Sequence, residues 1–347
     1  MEPRCDASPT CANPGPATPI PLAELVRSPA WLPLDVREGN VIRLVRLEEA
    51  AYRAASFLDE RILRANPPQG ACTVAELEAA ASQLTPSAHF IFHIGHVGST
   101  LLSRLVGEDP RFFCIREPGL LRRLATHPRA SGLSRPALLS LLSRTWRTEQ
   151  RAAVKATSFV SELAGAILEA IPGSRALLMY TPPVTYLRSI LGGPNSRIES
   201  RALAPSRLGR LRRRLAPTPI PAPRAEGEVI AMSWLCEMTA LCQAAETSRG
   251  RIRWLEFERF LSGPAAGMTM ALEALGACPD AHVIHEALGG PLMRQYSKAP
   301  EHAYDPALRR TVLESADREH GHEIRAGMRW LTGLAASHRL IAQALAL

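Results

Sequence analysis

Residues 90–104 read Phe-Ile-Phe-His-Ile-Gly-His-Val-Gly-Ser-Thr-Leu-Leu-Ser-Arg. A short apolar run meets a glycine turn, and an apolar segment of helical spacing follows at once. The run 88–95 (AHFIFHIG) predicts a strand and Ser99 to Val106 a helix. A glycine-rich turn between a strand and a helix exposes several backbone N–H groups, which act with the helix dipole as an anion site. Ser99 and Thr100 add hydroxyl donors in the first helical turn. The plainer reading of the same residues is a tight turn with an N-cap pair.

Outward from this stretch, strands and helices alternate. Residues 111–117 (RFFCIRE), 151–158 (RAAVKATS), 174–181 (SRALLMYT) and 250–258 (GRIRWLEFE) predict further strands. Helices are expected over 136–149, 159–171, from Pro182-Pro183 through Ser189, and over 226–247. Such alternation implies βαβ units, a central parallel sheet and the α/β class. Ligands of such sheets sit beyond the strand C-terminal ends.

The organisation expected is a loose tail over 1–20, a helical lead-in over 21–87 and the α/β domain over 88–347. The lead-in reading rests on Leu47, Ala50, Ala51, Ala54, Phe57, Leu58 and Ile62, which share one face at 3.6 periodicity. A basic lid or linker is expected over about 196–224. Its segment 197–214 carries seven arginines against one acid, Glu199, and 216–223 is proline-rich. The arginine stretch reads either as a solvated helix or mobile linker, or as a lid facing a phosphate or substrate.

The chain has 347 residues, a formal net charge of +8 and 46% hydrophobic residues. That composition excludes a mainly disordered chain, a collagen and a disulfide-dense miniprotein. No uncharged apolar run approaches a membrane span, and no secretion signal is read at the N-terminus. Seven cysteines without a CxxC pair read as reduced thiols of a cytoplasmic protein. Of 41 basic residues only Lys155 and Lys298 are lysines. The positive balance suggests anionic ligands. The basic stretch lacks interleaved aromatics, which argues against nucleic acid. HExxH and GxSxG are absent, and His282-x-x-His285 and His320-x-His322 lack further ligands nearby.

Ser99 stands where the ATPase loop GxxxxGK[ST] places its lysine, and no aliphatic run ends in the aspartate that would help hold Mg²⁺. Three segments instead resemble the sulfotransferase family. Gly95-His96-Val97-Gly98-Ser99-Thr100-Leu101-Leu102 is similar to its phosphosulfate loop in Gly98, Ser99 and Thr100, with His96 where that family usually has Lys or Arg. Thr181-Pro182-Pro183-Val184-Thr185-Tyr186-Leu187-Arg188-Ser189 is similar to its R-D-P-x-x-x-x-x-S signature, with Thr181 in place of the arginine. Phe257-Glu258-Arg259-Phe260-Leu261-Ser262-Gly263-Pro264 is similar to its Y-E-D-L-L-x-D-P segment. The order and approximate spacing over about 90–264 resemble those of the family, and with "FLDER" and "REP" the chain also looks like bacterial sulfotransferase-like proteins.

The resemblance implies a three-layer P-loop fold and in-line transfer of a sulfuryl group from 3′-phosphoadenosine-5′-phosphosulfate (PAPS) to an acceptor hydroxyl or amine, with no metal. It implies a donor site at Gly95, His96, Val97, Gly98, Ser99, Thr100 and Leu101, with Ser189 and Thr181 toward the 3′-phosphate. Arg294, Ser297 and Lys298 loosely resemble the late phosphate-binding segment. His96 and Lys155 are candidates for the cation near the bridging oxygen, and Glu117, at a strand end, for the acceptor's base. Two other readings stay open: a non-catalytic nucleotide-binding or regulatory module, and a kinase-like phosphotransferase. Acceptor and oligomeric state are not legible.

Overall fold

A computed structural model of the chain describes residues 18–64, 66–127, 133–297 and 306–347. Strands β5 (His89–His93), β6 (Phe112–Arg116), β7 (Arg151–Lys155), β8 (Ala176–Tyr180) and β9 (Ile252–Glu256) form one sheet in the order β6-β7-β5-β8-β9. Every pairing in it is parallel. All five fall inside the runs expected from sequence. β5, β6 and β8 are buried along their whole length, as a sheet covered on both faces requires. The edge strand β9 is only partly buried, and its sequence (IRWLE) admits an exposed arginine.

Helices α4 (Ser99–Val106) and α12 (Pro264–Ala274) pack beside one face of this sheet. On the other side α10 (Glu226–Thr247) lies among α7 (Ala164–Ala170), α8 (Pro183–Leu191), α9 (Pro194–Leu215), α14 (Pro306–Leu334) and α15 (Arg339–Ala346). The result is three layers. α5 (Gly119–Thr126) and α6 (Arg135–Leu141) follow β6, α11 (Phe257–Ser262) follows β9, and α13 (Ala281–Gly289) follows α12.

The stretch 21–87 differs from the helical lead-in expected. It holds α1 (Leu22–Arg27), α2 (Glu49–Ala54) and α3 (Val74–Ala81), but also three strands of a four-stranded sheet in the order β1-β4-β3-β2, whose first strand falls in the expected tail. Its members are β1 (Thr18–Pro19), β2 (Trp31–Arg37), β3 (Val41–Arg46) and β4 (Gly70–Thr73). The missed signal is the near-alternation of VIRLVR, which buries Ile42 and Leu44 while Arg43 pairs across the ladder with Asp35 at 2.7 Å. The helix expected over 136–149 stops at Leu141. Arg144 turns back there, donating from Nε to the Leu141 carbonyl at 2.8 Å and from Nη1 to those of Leu25 and Ser28. The segment 159–171 opens as a 3₁₀ turn before α7.

The basic segment is neither a mobile linker nor a wholly solvated helix. It is the 22-residue helix α9, in which Arg207 and Arg210 are buried. Glu237 of α10, fully buried, accepts from Arg207 Nε at 3.1 Å and Arg210 Nη2 at 2.6 Å. Ser161 also donates to that carboxylate. Burial alone would raise the Glu237 carboxyl pKa, but the Arg210 and Arg207 charges outweigh it and hold it below the usual carboxylate range. A group depressed in the folded state contributes stability above its unfolded value, about 4.3, and loses it as pH falls. Glu237→Gln should therefore cost about 3–5 kcal/mol at pH 7 by leaving buried guanidinium charge uncompensated. The variant should also lack the part of the acid dependence that wild type shows below about pH 4.3. Thermal melts from pH 3 to 7 check both, and a variant as stable as wild type at neutral pH would contradict them.

Candidate functional site

The turn after β5 is left-handed at three of four positions: Gly95 (φ 92°), His96 (φ 56°) and Gly98 (φ 62°). For His96 that backbone is strained, and such strain concentrates at ligand sites. Gly98 is the N-cap of α4 and offers no side chain to cap it, so the first-turn N–H groups from Ser99 on stay available to a ligand. Gly95 N–H is turned back to His93 Nδ1 at 2.9 Å. Thr100 is buried, and its Oγ1 meets no hydrogen-bond partner among the described residues. A curled loop, an uncapped helix start and an orphaned hydroxyl together fit an oxyanion.

Phe257 closes the turn from behind. A Cβ built on Gly98 would lie 2.0 Å from Phe257 Cε2, so the α11 segment packs directly against the loop. Two of the three sequence landmarks thus meet in space.

A cavity of about 160 Å³ opens beside the turn, lined by Gly95, His96, Val97, Gly98, Ser99 and Thr100. Glu117 lines it too. This residue follows β6 with φ 51°, a second strained non-glycine position, and its N–H donates to the Lys155 carbonyl at 2.7 Å. Its Oε1 accepts from Lys155 Nζ, and its Oε2 is 3.7 Å from Arg61 Nη2. Lys155 is wholly buried and lines neither cavity described here; it stands behind Glu117. Tyr186, also on the lining, is buried, which pushes its phenol up to about 12 and keeps it a neutral donor.

A second cavity, of about 630 Å³, shares His96, Gly98, Ser196 and Ser297 with the first. It adds Leu101, Ser189, Tyr296 and Arg309. The landmark serine of α8 therefore lies within reach of the loop, and the crevice is continuous across it.

Thr181 and Arg294 are not brought to either cavity. The Thr181 carbonyl accepts from Trp234 Nε1 at 2.9 Å deep in the core, and Arg294 donates to the Gly289 carbonyl at 3.1 Å. Lys298 lies outside the described residues.

Arg309, at the start of α14, escaped sequence reading. Its guanidinium carbon sits 5.0 Å from the Phe257 ring centroid, Nη2 donates to Glu258 at 2.5 Å, and buried Nε has no partner among the described residues. Phe57 and Arg61 were missed as lining residues because they belong to the N-terminal segment. Arg116 pins that segment in place by donating to the carbonyls of Ala55 at 2.8 Å and Arg53 at 2.9 Å.

No protein-family model matches the chain, and no curated protein does. The solved structures it is similar to include several sulfotransferases. A sulfotransferase domain from the curacin biosynthetic pathway shows 14% identity over 73% of this chain and 98% of that one, with a TM-score of 0.43. A sulfotransferase from Alicyclobacillus acidocaldarius shows 15% identity over 71% and 96%, with a TM-score of 0.39. A mouse sulfotransferase complexed with PAP shows 9% identity over 77% and 92%, with a TM-score of 0.41. Among the described residues no cluster of His, Cys, Asp or Glu is arranged to hold a metal, and no helix is long and apolar enough to cross a membrane.

Proposed function

We propose that the protein is a sulfotransferase that moves a sulfuryl group from PAPS to an acceptor hydroxyl or amine. The observation that carries this reading is the turn at 95–100, an uncapped helix start opening into a crevice that contains both Ser189 and Glu117. The order of the three sequence landmarks supports it, as does the absence of the ATPase lysine at Ser99.

PAPS supplies the activated sulfuryl group. The first-turn amides and the hydroxyls of Ser99 and Thr100 hold its phosphosulfate oxygens. The transfer is in-line, so positioning and charge compensation do most of the work. His96, at the junction of the two cavities, is placed to offset charge on the leaving side. Glu117 is placed to take the acceptor's proton. Lys155, behind it, is a positioning residue that holds the carboxylate in its strained turn.

Toward the 3′-phosphate, Ser189 offers its hydroxyl and Arg309 the cation that Thr181 does not provide. A charge-assisted hydrogen bond is worth about 1.5–3 kcal/mol, so Arg309→Ala should weaken PAP binding roughly 10- to 100-fold. Its effect on ADP, which lacks the 3′-phosphate, should be far smaller. Equal losses for the two nucleotides would remove Arg309 from this role.

Titration calorimetry with PAP, ADP and Mg²⁺-ATP tests the whole reading, followed by transfer of labelled sulfate from PAPS to a set of acceptors. PAP binding tighter than ADP together with label transfer is expected. Binding of PAP without transfer to any acceptor would favour a regulatory nucleotide-binding module. Preference for Mg²⁺-ATP would overturn the proposal.

A further inference from the structure

Arg207 is 5% exposed and lines the smaller cavity, yet Glu237 engages only its Nε. Neither Nη atom of Arg207 has a hydrogen-bond partner among the described residues. The same Glu237 is shared with Arg210, while Glu162 accepts from Arg210 at 3.3 Å and from Arg214. Three guanidiniums thus stand against two carboxylates, and the surplus charge is at the cavity wall. A buried charge left in this way is costly unless an anion completes it.

The surroundings repeat the pattern. Ser196, Ser200 and Arg207 fall on one face of α9 and all line the cavity. The buried Ser200 hydroxyl has no partner among the described residues, nor has that of Thr157 on the same lining. Arg122 of α5 also lines the cavity and forms no ion pair among the described residues. The guanidinium carbons of Arg122 and Arg207 lie 5.9 and 5.2 Å from the Phe159 ring centroid. The acids on this lining are Glu117, engaged by Lys155, and the exposed Glu199. Arg61 is engaged by Asp59 and stacks on Phe57, its guanidinium carbon 3.4 Å from the ring centroid.

We propose that the acceptor carries a carboxylate, bound by the Nη atoms of Arg207 and by Arg122, with the hydroxyls of Ser200 and Thr157 donating to it. Its apolar body packs among Phe57, Phe159 and Ile190. The volume, about 160 Å³ and shared with the donor's end at the turn, limits that body to a single ring at most: an engineered cavity of about 150 Å³ holds benzene. Arg207 and Arg122 share the smaller cavity with the turn at 95–100, where the donor's sulfuryl end would lie, and do not line the larger cavity with Ser189 and Arg309; the anion is assigned to the acceptor because Glu117, the acceptor's base, is on that same lining. Glu117 is on the same lining as the two arginines, so an acceptor held by its carboxylate presents its hydroxyl or amine toward the base. This inference rests on the sulfotransferase reading.

The test is a thermal-shift and calorimetric series on the full chain, first with PAP alone. PAP-loaded protein is then titrated with matched pairs: 4-hydroxybenzoate against 4-hydroxybenzamide, 3-hydroxybenzoate against its amide, and mandelate against mandelamide. At least one carboxylate should bind about 10-fold or more tightly than its amide. Arg122→Gln, a change at an exposed position, should reduce that preference several-fold and leave PAP affinity unchanged; Arg207→Lys should do the same. No carboxylate preference in any pair overturns the proposal. So does a preference that survives both substitutions, or a loss of PAP affinity in their place. Failure of PAP itself to bind overturns the donor reading, and the acceptor assignment falls with it.

Discussion

Replacing Glu117 by glutamine is expected to lower the rate of sulfuryl transfer about 10²- to 10⁴-fold, the usual contribution of a positioned general base. The amide keeps the size of the side chain and can still accept from Lys155, so the turn after β6 should persist. PAP affinity should change little, because PAP lacks the sulfuryl group that meets the acceptor, and Ser189 lies in the larger cavity, which Glu117 does not line. Single-turnover kinetics with calorimetry on the same preparation separates the two effects, and circular dichroism reports the fold. Unchanged transfer would exclude Glu117 as the base. Lys155→Met probes the partner. A positioning role requires that kcat fall with PAP affinity kept, and that the double variant be hardly worse than Glu117→Gln alone. Additive losses would mean that Lys155 acts on its own.

Gly98→Ala should abolish measurable PAP binding. Two penalties coincide there. The backbone at φ 62° disfavours a side chain by about 1–2 kcal/mol. The added methyl would also meet the Phe257 ring at 2.0 Å. That ring is itself buried, so relief requires the loop or α11 to shift, at about 1–3 kcal/mol for overpacking. A shifted loop no longer converges its amides on one oxyanion. Gly95→Ala is the informative comparison: its Cβ would meet nothing nearer than Ser158 at 3.8 Å, leaving only the strain of φ 92°. Gly98→Ala should therefore lower Tm more than Gly95→Ala. Adding Phe257→Ala to Gly98→Ala should restore part of the donor binding, since it removes the collision and leaves the strain. Wild-type PAP affinity in Gly98→Ala would show that the turn does not cradle the donor.

The placement of several site residues was not legible in the sequence, for a common reason. Lys155 was legible as a lone lysine at a strand end, but whether its amine faces the crevice or the back of Glu117 depends on the neighbouring strand. Arg309 carries no motif. It reaches the larger cavity because α14 packs beside α8 and its guanidinium lies over Phe257. Phe57 was read as one apolar residue of a helical face, whereas it lines the smaller cavity because Arg104 and Arg116 hold the 52–56 backbone against the sheet domain. Thr181 shows the converse: it occupies the motif position and is spent in the core.

What residues 88–258 determined by themselves was local and repetitive. Five apolar runs bounded by Gly, Pro and polar residues became five parallel strands, and Gly95 and Gly98 marked the turn because few other residues accept its backbone. What only the tertiary structure decided was how charge is distributed. The seven arginines of 197–214 are alike in sequence. Helix α9 gives Arg210 and Arg214 to carboxylates and leaves the outer half of Arg207 facing the cavity. Strand formation depends on neighbours along the chain, whereas the pairing of a long cationic side chain depends on which carboxylates the packing of α9 against α10 brings within 3 Å or so.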